Sequence, residues 1–182
     1  VQKTLDIPSD DLLEDIDRLC HSLPIDHSVK PSLLYHGGYQ KASQLFSEFL
    51  LEKANHYHES NDPSKDLTSK MSMYLHFGQI SSLELLERLY LSQQQGLIDG
   101  PSFDQFLEQL LVRRELAFNY VYYHQGYDDF HTMTEPWAYQ TMQAHIDDFK
   151  PYLYSVEELE KAQTHDPYFN AAMIEMVHTG YM

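Results

Sequence analysis

The sequence has little cysteine and glycine and no long apolar run. It has 1 cysteine and 7 glycines among 182 residues. Cys20 cannot form an internal disulfide, which excludes a disulfide-stabilised secreted scaffold, and its leucine neighbours in a helical pattern predict a buried or half-buried thiol. No apolar run approaches the roughly 20 residues of a membrane span, and no charged-then-apolar leader opens the chain. We therefore expect a soluble, cytoplasmic protein without a membrane partner.

Positive charge is also scarce. The chain has 12 Lys and Arg residues against 28 Asp and Glu residues, so its formal net charge is −16. Nucleic-acid-binding proteins draw most of their affinity from cations that neutralise phosphates. This chain should therefore repel DNA at long range, unless its few cations lie together on one face.

The residues that are abundant predict helices. Hydrophobic residues make up 42% and aromatic residues 13% of the chain, which is typical of a globular domain with a real core. Long runs of Leu, Glu, Gln, Lys and Ala follow a period of 3.6 residues, and alternating Val- or Thr-rich runs are few. We predict an all-α bundle of about six or seven helices, divided into an N-terminal helix with its connector (1–30) and a main helical domain (31–182).

Start and stop signals place these helices. Ser9 is a favourable N-cap for a first helix that ends near Leu23, and Gly37-Gly38 precedes a long helix from about Tyr39 to His58. Two capping boxes mark later helix starts, Ser81 with Glu84 and Ser155 with Glu158. Proline marks two more: Pro101 begins the longest helix, which runs to about Tyr123, and Asp166-Pro167 begins the last helix.

One arginine interrupts the apolar row of the longest helix. Arg114 falls among residues that should face the core, and a buried guanidinium must be paired. Its partner could be a carboxylate from another helix or the environment of a cofactor.

The stretch from Asn61 to Ser81 joins a polar loop to an apolar run. Asn61-Asp62-Pro63 ends the preceding helix, because proline restricts the residue before it and cannot continue a helix. The loop then offers hydroxyl groups and two lysines: Ser64, Lys65, Thr68, Ser69, Lys70 and Ser72. Hydroxyl and backbone N–H groups beside lysines suit a phosphate cradle. A capped loop with a purely structural role explains the same spacing.

The histidines of His56-Tyr57-His58 suggest a metal site at first sight. Neighbouring residues of a helix point to different faces, however, and no second ligand pair stands at HExxH or CxxC spacing. We predict no metal site here.

Three ordered stretches resemble the DNA photolyases, and the class II cyclobutane-dimer branch in particular. The first stretch looks like the flavin-phosphate loop of that branch. It consists of Asn61-Asp62-Pro63, Lys65-Asp66 and the run Ser69-x-x-Ser72-x-Tyr74-Leu75-His76-Phe77-Gly78-Gln79-Ile80-Ser81. Residues 106–119, with Tyr122-Tyr123, look like its substrate-facing helix. Residues 159–182 look like its next conserved block. The resemblance covers most of the chain from about Ser28 onward.

The resemblance implies part of a helical FAD-binding domain. Photolyases use light to move an electron from reduced FAD into a pyrimidine dimer flipped out of DNA, while the protein supplies the cavity and the orientation. The implied FAD-binding residues are Tyr57, offset by about one position, and Thr68, Ser69, Met71, Ser72, Leu111, Arg114 and Glu115. The implied catalytic residues are Gln109 and Arg113.

The chain departs from the family at informative positions. Gln109 replaces a carboxylate that contacts the dimer, and Phe169 replaces a tryptophan used to re-reduce the flavin. The matching stretches do not include the antenna domain that precedes this region in the family, and they end before the family's later flavin-contacting segments. We therefore expect about half of a flavin domain. Its expected partner is the remaining parts of a longer photolyase-like chain.

Three interpretations of function are open at this point. The chain could be a fragment of a class II photolyase-like enzyme that is inactive alone and binds damaged DNA weakly or not at all. It could instead be a photolyase-derived, cryptochrome-like binding or regulatory module without repair activity. It could also be a free-standing helical interaction domain that binds neither flavin nor DNA.

Overall fold

A computed structural model of the protein describes residues 16–181, and within that range every regular element is helical. This confirms the predicted all-α fold. The described residues contain nine α-helices: α1 (Ile16–Ser22), α2 (Tyr39–Glu52), α3 (Ser72–His76), α4 (Ser82–Gln94), α5 (Gly100–Leu107), α6 (Arg114–Tyr123), α7 (Pro136–Ala144), α8 (Val156–Glu160) and α9 (Pro167–Thr179). The count exceeds six or seven because the short α3 was not predicted and the longest predicted helix is divided into α5 and α6. The predicted start at Ser9 lies outside the described residues.

The helix predicted from Tyr39 to His58 is divided in two. Helix α2 ends at Glu52, and a 3₁₀ helix (Ala54–Glu59) continues the chain. The buried side of α2 is formed by Ala42, Phe46, Phe49 and Leu50, as the apolar periodicity predicts. The tighter 3₁₀ turn then changes the direction in which Tyr57 projects.

The longest predicted helix is continuous from Gly100 to Tyr123 but not uniformly α. Asp99 caps its start by accepting a hydrogen bond from the Ser102 N–H at 2.8 Å. Between α5 and α6 the backbone forms a π-helix (Glu108–Arg113). A π-turn has more residues per turn than an α-turn. The side chains that follow it are therefore rotated about the helix axis relative to the apolar row that precedes it.

Helices α2, α4 and α5 enclose the core together with the 3₁₀ helix. Phe46, Phe49, Tyr57 and Phe106 form an aromatic cluster at its centre, with ring centroids 5.0–5.9 Å apart. The buried apolar residues are Ala42, Phe46, Phe49, Leu50, Ala54, Met71, Tyr74, Ile80, Leu85, Leu89, Ile98, Phe103, Phe106 and Leu110. All of them lie between Ala42 and Leu110.

The second half of the described chain has no comparable core. Between Leu111 and Tyr181 no side chain is fully buried, although large apolar side chains are frequent. Phe149 is 90% exposed, Leu153 79% and Tyr122 77%. Helices α8 and α9 do contact each other.

Helix α1 lies away from the buried core. The prediction of a buried or half-buried Cys20 was therefore wrong, and the thiol is exposed. The leucine pattern around it was read correctly as helical, but the core forms only after Ala42. No helix of the described part of the chain combines the length and the apolar character that crossing a membrane requires.

Candidate functional site

Lysine charges in the loop between the 3₁₀ helix and α3 are shared among a few carboxylates. The Asp66 carboxylate lies 3.0 Å from Lys53 Nζ and 3.3 Å from Lys70 Nζ, so it bridges two cations. Burial raises the pKa of Asp66, but hydrogen bonds from both lysines outweigh it and hold the pKa below its usual value. These three side chains together carry one net positive charge beside Ser69.

Lys65 has a carboxylate partner of its own. It forms an ion pair with Glu59 at the end of the 3₁₀ helix. The hydrogen bond between them raises the pKa of Lys65 and lowers that of Glu59. Of the two lysines that the sequence placed in the phosphate cradle, only Lys70 therefore belongs to a group with surplus positive charge.

The predicted phosphate-binding residues occupy a short, irregular segment. Thr68 is exposed and Ser69 half-buried, and Ser69 Oγ accepts a hydrogen bond from the Met71 N–H at 3.3 Å. The Met71 side chain is 2% exposed and belongs to the core, so only its main chain can contact a ligand. Ser72 is exposed at the first position of α3.

Ser72 contacts a residue that the sequence reasoning missed. Its Oγ lies 3.1 Å from the hydroxyl of Tyr181, which follows α9. The Lys70 ammonium lies over the Tyr181 ring, 4.8 Å from its centroid. Nothing in the spacing of the sequence connects positions 72 and 181, because the contact depends on how the end of α9 folds back.

Tyr57 lies in the 3₁₀ helix and packs against the core. Its ring makes an edge-to-face contact with Phe106, at 5.0 Å between centroids, and another with Phe49. Burial raises the pKa of Tyr57, and the nearby Tyr181 adds to the shift. The neighbouring His58 forms a hydrogen bond with Ser102, with 2.9 Å between His58 Nδ1 and Ser102 Oγ. Among the described residues no group of three or more His, Cys, Asp or Glu side chains is placed to hold a metal ion.

The other predicted site residues cluster on the π-helix and the turn after it. Gln109, Leu111 and Arg113 lie within the π-helix, and Arg114 and Glu115 open α6. Gln109, Arg113 and Glu115 are exposed, while Leu111 is half-buried. Arg113 Nε lies 3.7 Å from Glu108 Oε1.

Arg114 is not the buried, carboxylate-paired arginine that the helical period suggested. It is half-buried, and its guanidinium lies over the Phe118 ring, 5.0 Å from the centroid. The π-helix is the physical reason, because it rotates Arg114 out of the apolar row that ends with Leu110. A cation over an aromatic face is a favourable contact even at a partly exposed position.

The structure thus brings the predicted residues together in two groups that share the core. Ser69, Met71 and Ser72 form the first with Lys70, and residues 109–115 form the second. Tyr57 packs against Phe106 of the core and interacts electrostatically with Tyr181. The cavities lined by Ser47 and Arg88, by Glu160 and Met173, by Ser28 and Gly180, and by Tyr35 and Phe77 include none of the predicted residues.

The first group of residues fits the phosphate end of FAD better than the second group fits its ring system. The first offers hydroxyl donors, a main-chain segment and net positive charge, which is the donor set that a diphosphate requires. The second exposes Gln109, Arg113 and Glu115 on a helix surface and encloses no cavity described above. The phosphate end therefore fits this chain, whereas enclosing the ring system would need further protein surface.

Comparison with known proteins identifies the relationship. No family model matches the chain. It is 46% identical over 155 residues to a deoxyribodipyrimidine photo-lyase of Methanothermobacter thermautotrophicus, a match that covers 85% of this chain and 33% of that protein. It is 36% identical over 162 residues to a protein of the same name from Potorous tridactylus, which covers 88% of this chain and 30% of the relative.

A plant protein gives the same result. The deoxyribodipyrimidine photo-lyase of Oryza sativa subsp. japonica is 43% identical over 140 residues, which is 74% of this chain and 26% of that protein. The chain thus spans between about a quarter and a third of the length of each relative. Over most of its own length, the chain is similar to one segment of proteins named deoxyribodipyrimidine photo-lyase.

Proposed function

We propose that this chain is part of the flavin domain of a class II photolyase-like protein, associated with light-dependent repair of cyclobutane pyrimidine dimers, and that it does not repair DNA by itself. The observation that carries the proposal is its similarity, over most of its length, to photolyases from an archaeon, a marsupial and a plant. The assignment to class II rests on the ordered motifs of the loop, the long helix and the C-terminal block.

The residues of the loop take the role of holding the phosphates. Thr68, Ser69 and Ser72 donate hydroxyl hydrogens, the Met71 segment contributes main chain, and Lys70 supplies charge next to them. Leu111, Arg114 and Glu115 form one wall against the cofactor, and Tyr57 supports both groups from the core. A bound, reduced flavin supplies light-driven electron transfer to the dimer. Gln109 and Arg113, both exposed on the π-helix, face the DNA lesion.

Further polypeptide completes the site in this proposal. Residues 111–181, here called the apolar half, expose many large apolar side chains and bury none of them fully. The relatives are about three times as long as the matched segment, and we assign the cover of the apolar half to the remaining part of such a photolyase-like chain. Damaged DNA binds only to that completed assembly, because a net charge of −16 opposes approach by this chain alone.

A second function is favoured by a specific pair of residues. Gln109 presents a neutral amide where the family resemblance implies a carboxylate, so it cannot stabilise developing charge as a carboxylate can. Phe169 stands where the resemblance implies a tryptophan of the electron relay and is much harder to oxidise. These two residues fit a photolyase-derived, cryptochrome-like regulatory module that keeps the flavin fold without repair.

A light-dependent repair assay tests the main proposal. The chain is incubated with FAD, a reductant and DNA that contains dimers, then illuminated, and the remaining dimers are counted. We expect no loss of dimers above a control with free flavin. Dimer loss above that control would contradict the claim that further polypeptide is required.

The choice between repair and regulation depends on position 109. In a complete parent protein, Gln109→Glu should raise the repair rate if the amide is a handicap to an otherwise working enzyme. A parent that repairs no dimers with either residue at this position supports the regulatory module instead.

A further inference from the structure

We propose that the groove between α2 and α4 is a docking surface for a basic amphipathic helix of another protein. The groove has a volume of about 290 Å³, and its walls include Ser47 and Leu51 of α2 and Arg88 and Leu91 of α4. It lies in the part of the chain that has the buried core, and it includes none of the residues assigned above to flavin or DNA. The proposal therefore does not depend on the proposed function.

Arg88 forms the floor of the groove and joins α4 to α2. Its guanidinium donates hydrogen bonds to the Ser43 carbonyl at 3.0 Å and to Ser47 Oγ at 2.6 Å. It also lies over the Phe46 ring, 4.9 Å from the centroid, and 3.7 Å from a Glu84 carboxylate oxygen. The two walls are therefore held in place before a partner arrives, which lowers the entropy cost of binding.

Leucines on both walls of the groove are exposed. Leu51 of α2 is 72% exposed and Leu91 of α4 is 48% exposed, and Leu97 at the end of the groove is 40% exposed. A partner's apolar side chains can remove this surface from water, which is the main favourable term in most protein–protein association. Because the leucines lie on two neighbouring helices, they suit the apolar stripe of a third helix laid between them.

A carboxylate accompanies a leucine on each wall. Glu48 lies three residues before Leu51, and Glu87 lies four residues before Leu91, so each pair is one turn apart on the same helix face. Both glutamates are exposed, and within the described part of the chain neither forms an ion pair. An apolar groove with unpaired carboxylates at its edges is complementary to apolar side chains flanked by Lys or Arg.

The cations of α2 and α4 leave these carboxylates uncompensated. The two helices contain Lys41 and Arg88. Arg88 is paired with Glu84, and Lys41 precedes Glu48 by seven residues, about 10 Å along the helix. The net charge of −16 adds long-range attraction for a basic partner and opposes a second copy of this chain. A basic helix is therefore favoured over self-association.

Binding of a designed peptide to the full chain tests the proposal. The probe is a helical peptide of about 16 residues with one leucine stripe at helical spacing and lysines beside that stripe. The comparison peptide keeps the leucines and carries glutamates in place of the lysines. Fluorescence anisotropy measures both dissociation constants. We expect the lysine peptide to bind about tenfold more tightly, and its advantage to shrink as the salt concentration rises.

Two pairs of variants separate the groove from a general attraction to an acidic chain. Leu91→Ala should weaken binding of the lysine peptide about fivefold, because it removes apolar area from the interface. Leu83→Ala, on the same helix but outside the groove, should leave binding unchanged. Glu87→Gln should weaken binding about threefold, the scale of one exposed ion pair. Glu175→Gln, an exposed position of α9, makes the same charge change and should have no effect.

Other occupants of the groove give different results. Equal binding of the two peptides, equal effects of the groove and control variants, or no binding at all overturns the proposal. A dimer in sedimentation that Leu91→Ala dissociates assigns the groove to a second copy and also overturns it. The last arm places the matched residues in the Methanothermobacter thermautotrophicus photolyase. Peptide binding that persists there supports the proposal, whereas its loss shows that the longer chain covers the groove. None of these results alters the flavin content by which the proposed function is judged.

Discussion

At the scale of single residues, the loop before α3 is organised by its carboxylates. Asp66 is the central one, because it bridges Lys53 and Lys70 and accepts a hydrogen bond from each. It also has a left-handed backbone, with φ of 45°. Asparagine tolerates that conformation, so Asp66→Asn removes the charge with little backbone strain.

We predict that Asp66→Asn lowers the melting temperature at pH 7 and not in acid. The pKa of Asp66 is lowered in the folded chain, from the ordinary value of 3.8, so its carboxylate stabilises the fold above that value. The contribution is lost as the pH falls through the lowered pKa, and the difference between variant and wild type should then vanish. Thermal unfolding at pH 7 and below pH 3 measures it, with Asp147→Asn as an exposed control. An equal deficit in acid would show that the charge is not the cause.

Residues with local partners were predictable, and those with distant partners were not. The capping box of Ser155 and Glu158 forms as predicted, with both reciprocal hydrogen bonds, because each partner lies three residues from the other. Arg114 was misplaced because a helical period was extended through a π-turn. Tyr181 was missed because its contact with Ser72 depends on the tertiary path of α9.

At the scale of elements, α5 is the helix on which the fold depends most. It packs against the 3₁₀ helix through Phe106, whose ring contacts Phe46, Phe49 and Tyr57 at 5.0–5.9 Å. The same packing positions the π-helix that follows directly. Phe106 therefore joins the core to the helix that leads into the second group of predicted site residues.

Removing that side chain should cost most of the stability of the chain. We predict that Phe106→Ala lowers the free energy of unfolding by about 3–5 kcal/mol, the usual cost of truncating a buried phenylalanine. Phe149→Ala is the matched control, and at 90% exposure it should change the free energy by less than about 0.5 kcal/mol. Urea unfolding gives both values. Similar losses for the two variants would mean that the apolar half packs more tightly than the structure shows.

The starts of elements followed from the sequence better than their interiors did. Ser81, Asp99, Ser155 and Asp166 cap helices at or next to the predicted starts, because capping depends on hydroxyl and carboxylate groups within three residues. The change from α2 to a 3₁₀ helix and the π-helix at Glu108–Arg113 carry no such local signal. Both lie next to the contacts that Phe106 of α5 makes with Phe49 and Tyr57, which join residues distant in the sequence.

At the scale of the whole molecule, the described chain is divided between a packed half and the apolar half. Among the residues whose burial the structure describes, buried apolar side chains occur only from Ala42 to Leu110. One group of predicted site residues belongs to the packed half, and the other lies at the boundary. The predicted phosphate-binding residues therefore lie beside the packed core, whereas the residues predicted to face the rest of the dinucleotide lie where that core ends.

The division also predicts a weak response to free FAD. A ligand raises stability by RT ln(1 + [L]/Kd), so weak binding gives a small shift in melting temperature at ordinary concentrations. We expect FAD added in excess to raise the melting temperature by only about 1 °C. Flavin that co-purifies with this chain in a one-to-one ratio would show that the apolar half needs no further polypeptide.

The most direct test of the account is the flavin content of a chimera. The 155 matched residues replace the corresponding segment of the Methanothermobacter thermautotrophicus photolyase, which supplies the polypeptide assigned to the apolar half. The measurement is the ratio of flavin to polypeptide in the purified, folded chimera, compared with that of the parent prepared in parallel. The account predicts equal ratios. A chimera that folds as well as the parent but holds no flavin would contradict the claim that this chain is part of a photolyase-type flavin domain.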